Sequence, residues 1–234
     1  MKTAIIVIAA LVGGAVVWWK VSFPVSILRY KMTVTVETPE GLKTSSSVRE
    51  ITVTRGINLL PESSSTVSLA GEAICMELSQ DSFIVIPMLG VINGVASADY
   101  GHVIVWDAIP FKDGALTREG GVFYSNLRGK KTILKPEQYP MFLYFENVNK
   151  SKIAVRLKDW DSFFEGHIKL IEVFIELTDA PVSWEASRCL SKVQNQYEGI
   201  SVRKQNSSSG SLETGIEKDF YFIARRDLTR KHGE

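Results

Sequence analysis

Residues 28–37 alternate without a fault: Leu28, Tyr30, Met32, Val34 and Val36 are apolar, and Arg29, Lys31, Thr33, Thr35 and Glu37 are polar. A period of two predicts a strand with one buried face and one wet face. Thr38-Pro39-Glu40-Gly41 supplies a turn, because Pro presets φ and Gly tolerates a positive one. The return segment, 43–54, changes its apolar phase between Val48 and Ile51, which predicts a bulge near Arg49 and Glu50. Val67, Leu69, Ala73 and Cys75 share a parity, and Phe83-Ile84-Val85-Ile86 reads as a buried strand, so the two form a second hairpin. Residues 88–100 are interrupted by glycine, and 102–106 fit either a strand or a short helix. Residues 114–131 are rich in glycine and charge and read as a long loop with a short strand. Residues 141–146 and 153–157 flank a turn at Asn147 to Lys150. Asp159 can cap a short helix that runs to Phe164 and ends at Gly166. A strand over 168–177 places Ile171, Val173, Ile175 and Leu177 inward and Glu172 and Glu176 outward. Helical spacing returns over 184–193, a Ser-rich low-complexity stretch covers 205–211, and Phe220 to Ile223 is a last apolar burst.

A different pattern opens the chain. Residues 3–19 carry no charge, with Lys2 before them and Lys20 after. As a helix they would reach roughly 26 Å at about 1.5 Å per residue, near the lower end of what a bilayer requires. Trp18 and Trp19 stand where an interfacial aromatic belt would lie. This predicts one transmembrane anchor, with Thr3, Ile5, Val7, Leu11, Val16, Trp18 and Trp19 facing lipid. The rival reading is a cleaved signal peptide with its small residues at Gly13-Gly14-Ala15. The positive-inside rule does not decide orientation, since Lys2 is opposed by Lys20, Arg29 and Lys31. A short basic start before an apolar run is also how export signals look, which puts the domain on the exported side.

The 234 residues suffice for one large domain with a real core, and 45% hydrophobic with 23% charged residues is ordinary for a folded domain. A net charge of +1 leaves no field for nucleic acid. The basic tail (Arg225, Arg226, Arg230, Lys231) reads as a solvated terminus in preference to a lipid-binding patch. Cys75 and Cys189 could form one disulfide in an exported domain, but two separate buried thiols is the favoured expectation. No CxxC pair exists and His102, His167 and His232 are scattered, so no metal site is expected. No glycine cluster forms a nucleotide-binding loop, so no cofactor is expected either. The best acid–base cluster is Asp159, Asp161, Glu165 and His167, whose blander reading is the solvated face of a short helix. Ser97, His102 and Asp107 could be assembled into a triad, but there is no GxSxG elbow to expose a nucleophile.

Residues 29–41 (RYKMTVTVETPEG), followed by 46–50 (SSVRE), resemble the opening of a family of uncharacterised Gram-negative bacterial envelope proteins. Residues 175–182 (IELTDAPV) are similar to that family's C-terminal strand and turn, and 214–218 (TGIEK) to the segment that follows the turn. The resemblance implies an envelope-associated domain, no site residues, and an insertion at 183–212.

The reading is a mostly β or α+β chain, an antiparallel sheet or sandwich-like domain behind one N-terminal transmembrane helix. It divides into an anchor and linker at 1–25, a β-rich domain at 26–224 and a basic tail at 225–234. The expected location is the inner membrane of a bacterium, with the domain periplasmic. The expected function is a non-enzymatic interaction or accessory module of a membrane-bound assembly, with lipid and an unidentified membrane protein as partners. One alternative is an enzyme, such as a hydrolase, with its site near Asp159, Asp161 and His167 or near His102. The other is a sensor domain that binds a small ligand.

Overall fold

The computed structural model describes residues 12–14, 25–54, 65–79, 82–92, 95–97, 99–146, 153–183, 199–204, 220–224 and 229–230. The anchor positions Thr3, Ile5, Val7, Leu11, Val16, Trp18 and Trp19, the helix expected at 184–193 and the Ser-rich stretch lie outside them. Among the described residues, no helix is long and apolar enough to cross a membrane.

The chain builds two six-stranded sheets, and their pairing is mostly antiparallel, as the alternation predicts. The first sheet centres on β1 (Val25–Thr38) and β2 (Gly41–Thr54). These two pair in register from Val25 opposite Thr54 to Thr38 opposite Gly41. β3 (Thr66–Glu72) flanks β2, and β14 (Thr229–Arg230) flanks β3. On the other side β11 (Lys169–Leu177) flanks β1, and the short β8 (Lys131–Ile133) flanks β11. The second sheet runs from β4 (Ile74–Glu77) through β5 (Phe83–Ile86), β9 (Phe142–Phe145), β10 (Ile153–Leu157) and β12 (Gly199–Lys204) to β13 (Phe220–Ala224). β10 and β12 form a parallel pair. Thus the stretch at 183–212 adds a strand to this sheet. A small hairpin, β6 (Gly90–Ile92) with β7 (Val95–Ser97), leads into helix α1 (Tyr100–Ala108).

The apolar face of β1 does what its period requires. Tyr30, Met32, Val34 and Val36 are buried and join Ile51, Leu69, Val173, Ile175 and Leu177 in one core. Side chains of this size contribute roughly 1.5–3 kcal/mol each on full burial.

The bulge expected at Arg49 and Glu50 is absent, because the β1–β2 register runs through without a shift. The apolar phase changes there for another reason: the inward positions of β2 as far as Arg49 are polar and are spent on carbonyls between Glu72, at the end of β3, and Leu78, just past β4. Lys43 Nζ donates to Leu78 O at 2.7 Å, Ser45 Oγ to Cys75 O at 2.9 Å, and Ser47 Oγ to Glu72 O at 3.0 Å. Arg49 completes the row, with Nε donating to Glu72 O at 3.3 Å and Nη2 to Ile86 O at 3.3 Å and Pro87 O at 3.4 Å. Arg49 is 0% exposed. The one-parity reading of residues 67–75 gives way at the same place. The chain bends at Gly71, so β3 belongs to the first sheet while β4 pairs with β5 in the second. Gly71 has φ +142°, and a Cβ there would come within 3.0 Å of Arg49 Cγ.

Two further expectations are corrected. The long loop over 114–131 contains a helix, α2 (Arg118–Ser125), whose cap is Thr117 accepting from Gly120 N at 3.0 Å. Gly120 looks like a helix breaker, yet a Cβ there would sit 2.6 Å from Gly114 O, so the helix can pack on its own leading loop only with glycine. Ile171, expected inward, is 50% exposed. The β1–β11 register shifts between Thr35 and Val36, opposite Glu172 and Leu170, which leaves Ile171 as the extra residue of a bulge.

Buried tyrosines tie α1 to the first sheet and α2 to the end of α1. Tyr30 Oη donates to Gly101 O at 2.6 Å, and Tyr124 Oη to Ile109 O at 2.9 Å. Burial pushes Tyr124 up to about 12. Tyr30 is also raised by burial, offset in part by the nearby Arg49 guanidinium.

Arg49→Ala should lower unfolding free energy by about 3 kcal/mol or more, since it strands several buried carbonyls and opens a void. Urea melts would show it, and Arg49→Lys should recover little because a single ammonium cannot reproduce the planar fork. Gly101→Ala should also destabilise, by about 1–3 kcal/mol, because its Cβ would fall 2.1 Å from Leu69 Cδ2.

Candidate functional site

A cleft of about 540 Å³ opens where three distant segments meet. Pro136, Tyr139 and Pro140 form one wall, residues 156–161 the other, and Lys169, Leu170 and Ile171 of β11 a third side. Its size lies in the range of small-ligand and peptide sites, roughly 300–1,000 Å³.

The first wall is a 3-10 turn, Pro136–Gln138, positioned through Gln138. Gln138 Oε1 accepts from Lys135 N at 3.0 Å, its Nε2 donates to Asp107 Oδ2 at 2.9 Å, and its carbonyl accepts from Tyr100 Oη at 2.7 Å. α1 therefore holds this wall at two points. The second wall carries helix α3 (Trp160–Phe163), capped as expected by Asp159 Oδ1, which accepts from Ser162 N at 3.1 Å. Aromatic contacts lock it down: Trp160 lies edge-on to Phe142 at 5.1 Å, and Phe163 and Phe164 meet Tyr144 at 5.3 and 5.2 Å. Glu165 (φ +52°) and Gly166 (φ +76°) turn the chain out of the helix and into β11.

The lining is mixed in charge. Arg156, Lys158 and Lys169 are cationic and Asp159 and Asp161 anionic, so the cations exceed the carboxylates by one. Arg156, Asp161 and Lys169 form no ion pair among the described residues. Tyr139, Trp160, Leu170 and Ile171 supply apolar surface.

The structure sorts the residues singled out in the sequence. Asp159 and Asp161 line the cleft, whereas Glu165 and His167 are exposed and not part of its lining. Among the described residues, no three His, Cys, Asp or Glu side chains are grouped to hold a metal ion. Among the described residues, His102, Ser97 and Asp107 make no bond to one another. His102 Nε2 lies 3.9 Å from Asp99 Oδ1, and its ring stands 4.8 Å from that of Trp106. Ser97 Oγ accepts from Asp99 N at 3.1 Å, and Asp107 accepts from Gln138. Burial lowers the His102 pKa, with Asp99 opposing the shift. Cys75 is disulfide-bonded, contrary to the expectation of two separate thiols; Cys189 is outside the described residues. The 135–140 loop, Arg156 and Lys169 were not candidates from sequence, and their only local signal was the Pro136 and Pro140 pair around an aromatic.

The chain matches no known family model, no curated protein and no solved structure.

Because the His102 pKa is lower folded than unfolded, the unfolded chain takes up the proton first. Stability should therefore fall as pH drops below the ordinary histidine value of about 6.5. Melting temperatures from pH 7.5 to 5 should decline, and His102→Gln should flatten part of that slope.

Proposed function

We propose that this chain is a non-enzymatic binding module, tethered to a membrane, that docks a partner protein of a membrane-bound assembly. The observation that carries this reading is the cleft. Two of its walls are held from behind by hydrogen bonds and ring contacts, so recognition needs little reorganisation of them. Both of its carboxylates are exposed and one of them, Asp159, caps a helix, an arrangement suited to contact more than to paired proton transfer.

The tether rests on the uncharged stretch at 3–19, which would supply the lipid contact. The exported side is favoured by the disulfide at Cys75, a bond that oxidising compartments preserve. The likeness of residues 29–50 to Gram-negative envelope proteins adds the periplasmic face of an inner membrane.

A photo-crosslinking benzoylphenylalanine at Tyr139, in the full-length chain within its native membranes, tests the reading. Tyr139 should capture one defined protein, while the same probe at Leu42, exposed at the β1–β2 hairpin end, should not. Capture should be lost when residues 1–20 are removed. Equal capture from both positions, or from neither, would remove the cleft as the docking site.

A further inference from the structure

We propose that the cleft's occupant is a short extended peptide segment of the partner, bearing a carboxylate, which adds as a strand to the open edge of β11. This rests on the cleft being the partner's site.

β8 covers only part of β11. It pairs with Phe174, Ile175 and Glu176, and the bond from Leu134 N to Val173 O at 2.8 Å is the last one across that edge. The chain then leaves at Lys135 and enters the turn at Pro136. From Lys169 to Glu172, β11 has β1 as its one neighbouring strand among the described residues. Lys169, Leu170 and Ile171, on the stretch of β11 without a second strand, line the cleft. Unpaired backbone at a sheet edge is a template for another strand, and pockets beside it read alternate side chains.

The bulge limits what can enter. An edge interrupted at Ile171 cannot carry a long flat sheet, so a second copy pairing along the whole strand is disfavoured and a short segment is admitted. The half-exposed Ile171 and Tyr139 offer an apolar seat. The surplus cation of the lining, with Arg156 and Lys169 outside any ion pair among the described residues, matches one carboxylate on the incoming strand.

Random heptapeptides displayed on phage provide the probe, panned against the full-length chain in mild detergent. The strongest binder is then synthesised and followed by fluorescence anisotropy. Selected sequences should alternate apolar residues and include Asp or Glu. Lys169→Glu should weaken the synthetic peptide roughly tenfold at unchanged melting temperature. Methylating alternate peptide nitrogens along one edge of the ligand should cost about tenfold, and methylating the other edge should not. No selected binder, or one indifferent to Lys169→Glu or to backbone methylation, overturns strand addition. If Tyr139 still captures a protein in membranes, the cleft survives as a docking site and only the peptide-strand assignment falls; if both fail, both fall.

Discussion

The two sheets are joined where β2 meets the segment from Glu72 to Leu78, which carries the edge strand β4. An edge strand leaves a row of carbonyl and amide groups that must find partners once buried. Most sheets solve this with another strand. Here the closing groups are side chains: Lys43, Ser45, Ser47 and Arg49, alternate residues of β2, donate to carbonyls of Glu72, Cys75 and Leu78. β2 thus pairs by backbone within its own sheet and by side chain with the segment that leads into the next. Burying a guanidinium costs several kcal/mol unless its donors are met. Arginine suits the position because its planar fork can serve carbonyls on two strands at once, Glu72 on one side and Ile86 on the other.

That junction reaches the cleft through a short line of contacts. Arg49 lies beside Tyr30, and Tyr30 fixes α1 at Gly101. α1 then holds the Pro136 turn through Tyr100 and Asp107, both acting on Gln138. Glycine makes the approach close enough: a Cβ on Gly90 would collide with the Tyr100 ring, and one on Gly101 with Leu69. A hydroxyl that can still donate is needed at Tyr30 and Tyr100, and burial favours it by raising both pKa values. One wall of the cleft is therefore anchored to the core behind it.

Local rules made much of this legible. β1 announced itself by period, β5 and the β9–β10 hairpin by apolar runs, and α3 by Asp159 and Gly166. What stayed hidden involves partners far along the chain. Arg49 looks like a wet residue until Glu72 and Ile86 are placed beside it. Gly120 reads as a breaker until its own leading loop is packed against it. Ile171 fits the inward phase of its strand, and only the register with Thr35 and Val36 reveals the extra residue. The cleft follows the same logic. Asp159 and Asp161 were visible as carboxylates, but their neighbours Tyr139 and Lys169 come from other segments, so charge pattern alone could point only to a solvated face.

The incomplete cover over β11 sets the cleft apart from an accident of packing. A proline cannot donate to a ladder, so Pro136 ends the run that β8 begins and turns the chain outward. If that were a simple failure to protect an edge, the usual remedies would be expected: a charge, a bulge, a strand kept short. β11 has a lysine at its start and a bulge at Ile171, and Ile171 stays half-exposed on the cleft that Tyr139 and Leu170 also line. Ile171, half-exposed on a cleft whose walls are braced from behind, is the apolar contact that the proposed peptide strand would cover.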